Sequence, residues 1–176
     1  MKNLLLIMLL SFAAFAGNLQ LQEGVIKAHT EQMMDSTINP EHKDLQVDLS
    51  MNNNDVTTLK GTVAVVMKNF ISDNSDRDEH MYKSLEADKF VLATYNINKV
   101  TKSAAENSYI MAGVLDFHGV KKELLFNAKI LNTDTTLTID AKSDMKMSDY
   151  GVEMPCMIFM CVRDKVDLTT KVVLSK

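Results

Sequence analysis

The chain of 176 residues has no tryptophan, only two cysteines and no excess of positive charge. Each shortage closes off a class of function. Lys and Arg number 19 against 23 Asp and Glu, a formal net charge of −4. Affinity for nucleic acid rests on neutralising phosphates, so this balance argues against such a partner. It also argues against a general electrostatic hold on anionic lipid. The histidines His29, His42, His80 and His118 have no ligand-like spacing and no cysteine near them in sequence, so no metal is expected. Asp73-Asn74-Ser75-Asp76 is only superficially like a calcium loop, lacking the central glycine and the terminal bidentate glutamate. No nucleophile motif, P-loop or dinucleotide fingerprint occurs, so neither catalytic residues nor a cofactor are expected. Repeats, low-complexity segments and linkers are missing as well.

What is present begins with an export signature. Met1-Lys2-Asn3 precedes an apolar run from Leu4 to Phe15, with Ala14 and Ala16 in the small-x-small pattern that signal peptidase accepts. The run is too short to cross a bilayer as a helix, which needs about 20 apolar residues. A signal peptide over 1–16 is expected, followed by one domain over 17–176, secreted into a bacterial periplasm. No later segment is apolar enough to span a membrane. Cutting after Ala16 leaves 160 residues, with 18 basic against 23 acidic side chains and a net charge of −5. A domain of that size can bury roughly 70% of its unfolded surface and needs no metal or disulfide to fold.

Period-2 alternation, the mark of a half-buried strand, recurs through the rest of the chain. Leu45, Val47, Leu49 and Met51 share a face, then Val63, Val65, Met67 and Ile71, then Ala93, Tyr95 and Ile97. Gly113, Leu115 and Phe117 follow, then Leu124, Phe126, Ala128 and Ile130. Leu137, Ile139, Ala141 and Met145 come next, and Val166, Leu168, Thr170, Val172 and Leu174 close the chain. An earlier strand around Gly24–Thr30 is less clean. Seven or eight strands with short connections predict a mainly β fold, an antiparallel sandwich or barrel, and closure would remove its exposed edges. One segment breaks the pattern. Over 76–87, Met81 and Leu85 fall four apart among Arg77, Asp78, Glu79, Lys83 and Glu86, which predicts a short amphipathic helix. Ser75 or Asp76 can cap it, with Asp78 or Glu79 three residues on, and the acidic first turn suits the helix dipole.

Four segments resemble the YceI-like family of secreted proteins, in that family's order. They are Asn74-Ser75-Asp76-Arg77-Asp78-Glu79-His80-Met81, Leu115-Asp116-Phe117-His118-Gly119-Val120-Lys121-Lys122, Met147-Ser148-Asp149-Tyr150-Gly151-Val152 and Asp164-Lys165-Val166-Asp167-Leu168. The resemblance covers roughly 56 to 174. It implies a lipocalin-like antiparallel barrel of about eight strands that binds, transports or stores a polyisoprenoid or similar amphiphile, without turnover. Family members are exported, and some are linked to isoprenoid-quinone metabolism or stress responses. The chain departs from the family pattern at Met147, where an Arg is usual, at Phe90-Val91-Leu92-Ala93, and before Val56, where the usual tryptophan is missing.

The inward faces supply the candidate apolar cavity: Val65, Met67, Tyr95, Ile97, Leu115, Phe117, Phe126, Ile139, Met145 and Leu168. Each methylene buried there is worth about 0.8 kcal/mol, so a long tail can bind tightly without a charged contact. An isoprenoid, a quinone and a fatty-acid-like ligand all satisfy that description. The alternative is an interior filled by its own side chains, as in small barrels, which would make the domain an interaction module. Arg77, Asp78 and His80 are candidates to hold a polar head, but the favoured reading is that they fix the helix, Asp78 through capping and Arg77 through a salt bridge to a strand. His118 beside Gly119 reads as a turn residue. Cys156 and Cys161 are an even pair in an oxidising compartment, which favours a disulfide. Fully extended, their separation is near 17 Å against about 5.5 Å in a disulfide, so the intervening Met157-Ile158-Phe159-Met160 must bend. The rival reading is a thiol-redox or stress-response protein using this pair, although no C-x-x-C motif is present. Asp164 and Asp167 are assigned to a strand facing solvent. An exposed sheet edge or the Cys156–Cys161 loop leaves a homodimer open.

Overall fold

The computed structural model describes residues 16–32, 36–157 and 160–176. The expected signal peptide lies outside the described residues except for Ala16, which opens the first strand. Among the described residues, twelve strands and one α-helix follow in order, besides three 3₁₀ turns. They are β1 (Ala16–Gln32), β2 (Ser36–Ile38), β3 (Glu41–His42), β4 (Gln46–Asn52), β5 (Lys60–Val66), α1 (Ser75–Ser84), β6 (Leu92–Lys102), β7 (Ser108–Phe117), β8 (Val120–Asn132), β9 (Thr136–Lys146), β10 (Cys156–Met157), β11 (Met160–Cys161) and β12 (Lys165–Ser175).

Eight of these strands close an antiparallel barrel in the order β12-β9-β8-β7-β6-β5-β4-β1, with β1 returning to β12. The long first strand makes the closure. Its start, Ala16 to Leu19, pairs with Asn52 to Leu49 of β4, while Gln20 to His29 pairs with Ser175 to Asp167 of β12. A closed sheet has no unpaired edge within the barrel. A bulge between Leu21 and Glu23 resets the alternation of β1, which is why its sequence reads poorly as a strand. A second bulge between Ile97 and Lys99 of β6 lets Ile97 and Val100 both point inward.

Two turns show why local sequence sets these connections. Phe117 pairs directly with Val120, leaving His118 (φ +52°) and Gly119 (φ +76°) as a two-residue hairpin loop. Two successive positive φ values match the twist of flanking strands and suit glycine; a Cβ on Gly119 would also meet the Phe90 ring at 2.7 Å. Past β5 the expected run through Ile71 fails. A 3₁₀ turn over Met67–Asn69 has three residues per turn and rotates the phase, so Met67 stays buried while Ile71 is 57% exposed.

The barrel is filled at one end only. Where β1 begins and β12 finishes, Leu19, Met51, Val100, Ile130, Leu137 and Leu174 are buried together. A 3₁₀ turn over Val56–Thr58, capped by Asp55 accepting from the Thr57 N–H at 2.9 Å, lays Val56 and Leu59 against this end. The opposite end carries α1, β2, β3 and the β10–β11 hairpin.

Candidate functional site: an apolar bore beneath a helix

Above the filled end the barrel is hollow. A cavity of about 560 Å³ runs between its walls, within the range of ligand pockets. The interior is therefore not plugged by its own side chains. All ten apolar residues singled out from the sequence line it. Val65, Tyr95 and Ile97 come from β5 and β6; Leu115 and Phe117 from β7; Phe126, Ile139, Met145 and Leu168 from β8, β9 and β12; Met67 from the turn after β5. Sequence reasoning missed Met111, which lies in phase with Leu115 and needed a longer reading of β7, and left Val172 out of the site although it shares the face of Leu168. It also missed Ile26 and Ala28 of β1, hidden by the bulge.

The lower bore is lined mainly by apolar side chains, and the polar tip of Tyr95 faces away from the lumen. The Tyr95 hydroxyl donates to the Leu124 carbonyl at 3.0 Å, with the Met111 carbonyl at 3.1 Å. Its ring meets Phe126 edge-on at 5.0 Å. Burial pushes the phenol pKa well up, so the hydroxyl stays protonated and donating.

The helix end differs in chemistry. Arg77, His80, Lys83 and Ser84 of α1 line the cavity with Thr30 and Gln32 of β1. His80 and Lys83 are also exposed, so the cavity meets solvent here. Among the described lining residues the charged groups are basic, and none is Asp or Glu, in a chain whose net charge is negative.

The helix spans Ser75–Ser84, shorter than expected, and Asn74 rather than Ser75 or Asp76 caps it. Its Oδ1 accepts from the Arg77 N–H at 3.0 Å. Asp78 is no cap of its own helix. Buried, it accepts from the Ser72 N–H with both oxygens at 3.0 Å and from the Ser72 hydroxyl at 2.6 Å, locking the preceding loop. Arg77 makes no salt bridge to a strand. It donates to the Thr37 carbonyl of β2 at 3.2 Å and lies 3.4 Å from Asp73 in its own segment. Tyr82 donates to the Phe70 carbonyl at 2.7 Å, seating the helix on the barrel.

Around the same end, His118 Nδ1 donates to the Tyr150 carbonyl at 3.0 Å, while Nε2 lies 3.2 Å from Glu86. The hairpin turn is thus tied both to the segment after α1 and to the 3₁₀ turn Met147–Tyr150. Met147, where the family usually has Arg, is buried and lines the cavity. Asp164 precedes β12 rather than lying in it. Its carboxylate accepts from the Ser148 hydroxyl and N–H, both at 2.7 Å, and these bonds hold its pKa below the usual carboxylate range. His42 is 1% exposed and meets Phe70 at 5.1 Å. Neither ring nitrogen makes a hydrogen bond, although the Val66 backbone lies nearby, and burial pushes the imidazole pKa down.

Cys156 and Cys161 are bonded to each other across the β10–β11 pair. Residues on both sides of the bridge, Met154, Pro155 and Val162, line the cavity mouth. Val162 bridges Gln32, and the Arg163 N–H donates to the Glu31 carbonyl at 2.8 Å, rooting this hairpin on the end of β1.

A barrel with a hollow apolar centre and this helix is a shape known from other proteins. The YceI-like domain profile matches residues 18–174. The chain belongs to the YceI-like domain family. Among solved structures, Burkholderia cenocepacia BcnA superposes with a TM-score of 0.75 at 14% identity, over 85% of this chain and 95% of that one. A polyisoprenoid binding domain from Saccharophagus degradans, described as implicated in plant cell wall breakdown, gives 0.65 at 11% identity, over 90% and 97%. The Campylobacter jejuni YceI protein gives 0.69 at 17% identity, over 100% and 99%. At such identities these likenesses show the fold alone. No curated protein matches in sequence. No helix among the described residues of this YceI-like domain is long and apolar enough to cross a membrane.

Proposed function

We propose that this YceI-like domain binds and carries a long-chain amphiphile, a polyisoprenoid or a comparable lipid, without chemically altering it. The observation that carries this reading is the bore, about 560 Å³ of apolar space closed at one end and reaching solvent at the other. A tail entering it trades hydration for contact with the lining at about 0.8 kcal/mol per methylene. A polar head then remains at the helix end, beside Arg77, His80 and Lys83. A quinone and a fatty-acid-like ligand fit the same description. Export through the N-terminal segment, with residence in the periplasm, completes the reading and is supported by the Lys2 start, the Leu4 to Phe15 run and Ala14-x-Ala16.

The test is native mass spectrometry of the protein purified from its own host, followed by solvent extraction. A mass increment that disappears on extraction, yielding a long-chain lipid, is the expected result. A homogeneous apo mass, together with no uptake of fatty acids or prenyl alcohols added afterwards, overturns the proposal.

A further inference from the structure

The lower bore owes its width to one aromatic side chain and one missing side chain. Tyr95 sits on the inward face of β6, where an unrestrained phenol ring would stand into the lumen. It lies instead flat along the wall, over Gly113 of the neighbouring strand. A Cβ at Gly113 would come within 2.7 Å of the Tyr95 Cζ and 2.9 Å of its Cε2, so the ring occupies the notch that glycine leaves. Beyond the notch the hydroxyl reaches backbone carbonyls of two strands, Met111 of β7 and Leu124 of β8. The ring is therefore held at both ends. Gly113 has no positive φ to explain it; the close approach of Tyr95 and of the Asn96 carbonyl, 2.3 Å from the same Cβ position, does. Phe126, edge-on to Tyr95 at 5.0 Å, completes this side of the wall.

We infer that Tyr95, seated over Gly113, is a specificity-determining residue of the bore, setting how much tail volume the lower half holds above the filled end. This rests on the lipid-carrier reading above. The phenol ring is the largest polar-tipped group in contact with the cavity's deep half, and its hydroxyl is turned into the sheet. The tail thus meets only the ring face, and the wall position of that face sets part of the free space in the cavity that Ile139 and Val172 also line.

The experiment measures the affinities of delipidated wild type, Tyr95→Leu and Gly113→Ala for saturated fatty acids and for prenyl alcohols of increasing length. Thermal melts of each variant accompany the titrations. In wild type, affinity is expected to rise with tail length and then stop rising. Tyr95→Leu removes the ring, so affinity should go on rising past the wild-type limit. Two further buried methylenes are worth about tenfold. Gly113→Ala forces the ring inward, so the limit should fall to shorter tails. The alanine Cβ also presses on the Asn96 carbonyl, and if that variant does not fold, Tyr95→Leu alone decides. A folded Tyr95→Leu variant with the wild-type length limit overturns this inference and leaves the carrier reading standing. Failure of wild type to bind any probe overturns both.

Discussion

The two ends of the barrel are built from different materials. At the filled end, β9 and β12 pair in unbroken register through buried Leu137 and Leu174, both 0% exposed, and apolar packing supplies the cohesion. At the helix end, cohesion comes from polar groups satisfying backbone: Asp78 on Ser72, Asn74 on Arg77, Tyr82 on Phe70, His118 on Tyr150. The filled end is a stopper and the polar end a rim. Hydrogen bonds that exchange with water contribute about 0.5–1.5 kcal/mol each, whereas a large buried side chain is worth more. The contrast implies that the rim opens more cheaply than the stopper, which suits a container that must load and unload.

Substitutions can sharpen or break that contrast. Leu137→Ala, in the stopper, should cost about 2–5 kcal/mol, read as a lowered denaturant midpoint. Asp78→Ala, at the rim, strands the Ser72 donors and should cost about 1–3 kcal/mol. Amide exchange should then quicken in residues around Ser72 and α1 and not in β9 or β12; uniform quickening would contradict the division. Asn74→Ala removes the helix cap and should cost about 1 kcal/mol, confined to α1 in the same exchange measurement.

The smallest effect is a dependence on pH. His42 is buried without a partner, so its folded pKa lies below the ordinary value of 6.5. Between those two values the unfolded chain binds a proton that the folded chain does not. Stability is therefore full above about 6.5 and declines as pH falls below it. Asp164, also depressed, acts in a separate window, losing its contribution only as pH falls below the ordinary 3.8. His42→Phe should remove the upper slope and keep the lower one; an unchanged unfolding profile between pH 7 and about 5 would refute the assignment.

Much of the wall was legible from alternation, because β7, β8, β9 and β12 each bury one face and carry no bulge of their own. Bulges hid the rest: Val100 falls out of phase behind Ile97, and β1 changes face after Leu21. The rim was legible in composition but not in contacts. Arg77, Asp78 and His80 stood out, yet the partner of Asp78 is Ser72, fixed by a loop that no periodicity describes. Whether ten inward side chains meet or leave a bore depends on barrel girth, and strand patterns carry no measure of that. Here the family resemblance, not the alternation, pointed to a hollow interior.

A ligand-bound crystal structure of the protein isolated from its own host tests the central claim most directly. The account predicts a continuous tail lying against Val65, Leu115 and Ile139, ending above Leu137 and Leu174, with its head beside Arg77 and His80. An empty or collapsed bore in protein that carries lipid elsewhere on its surface would contradict it.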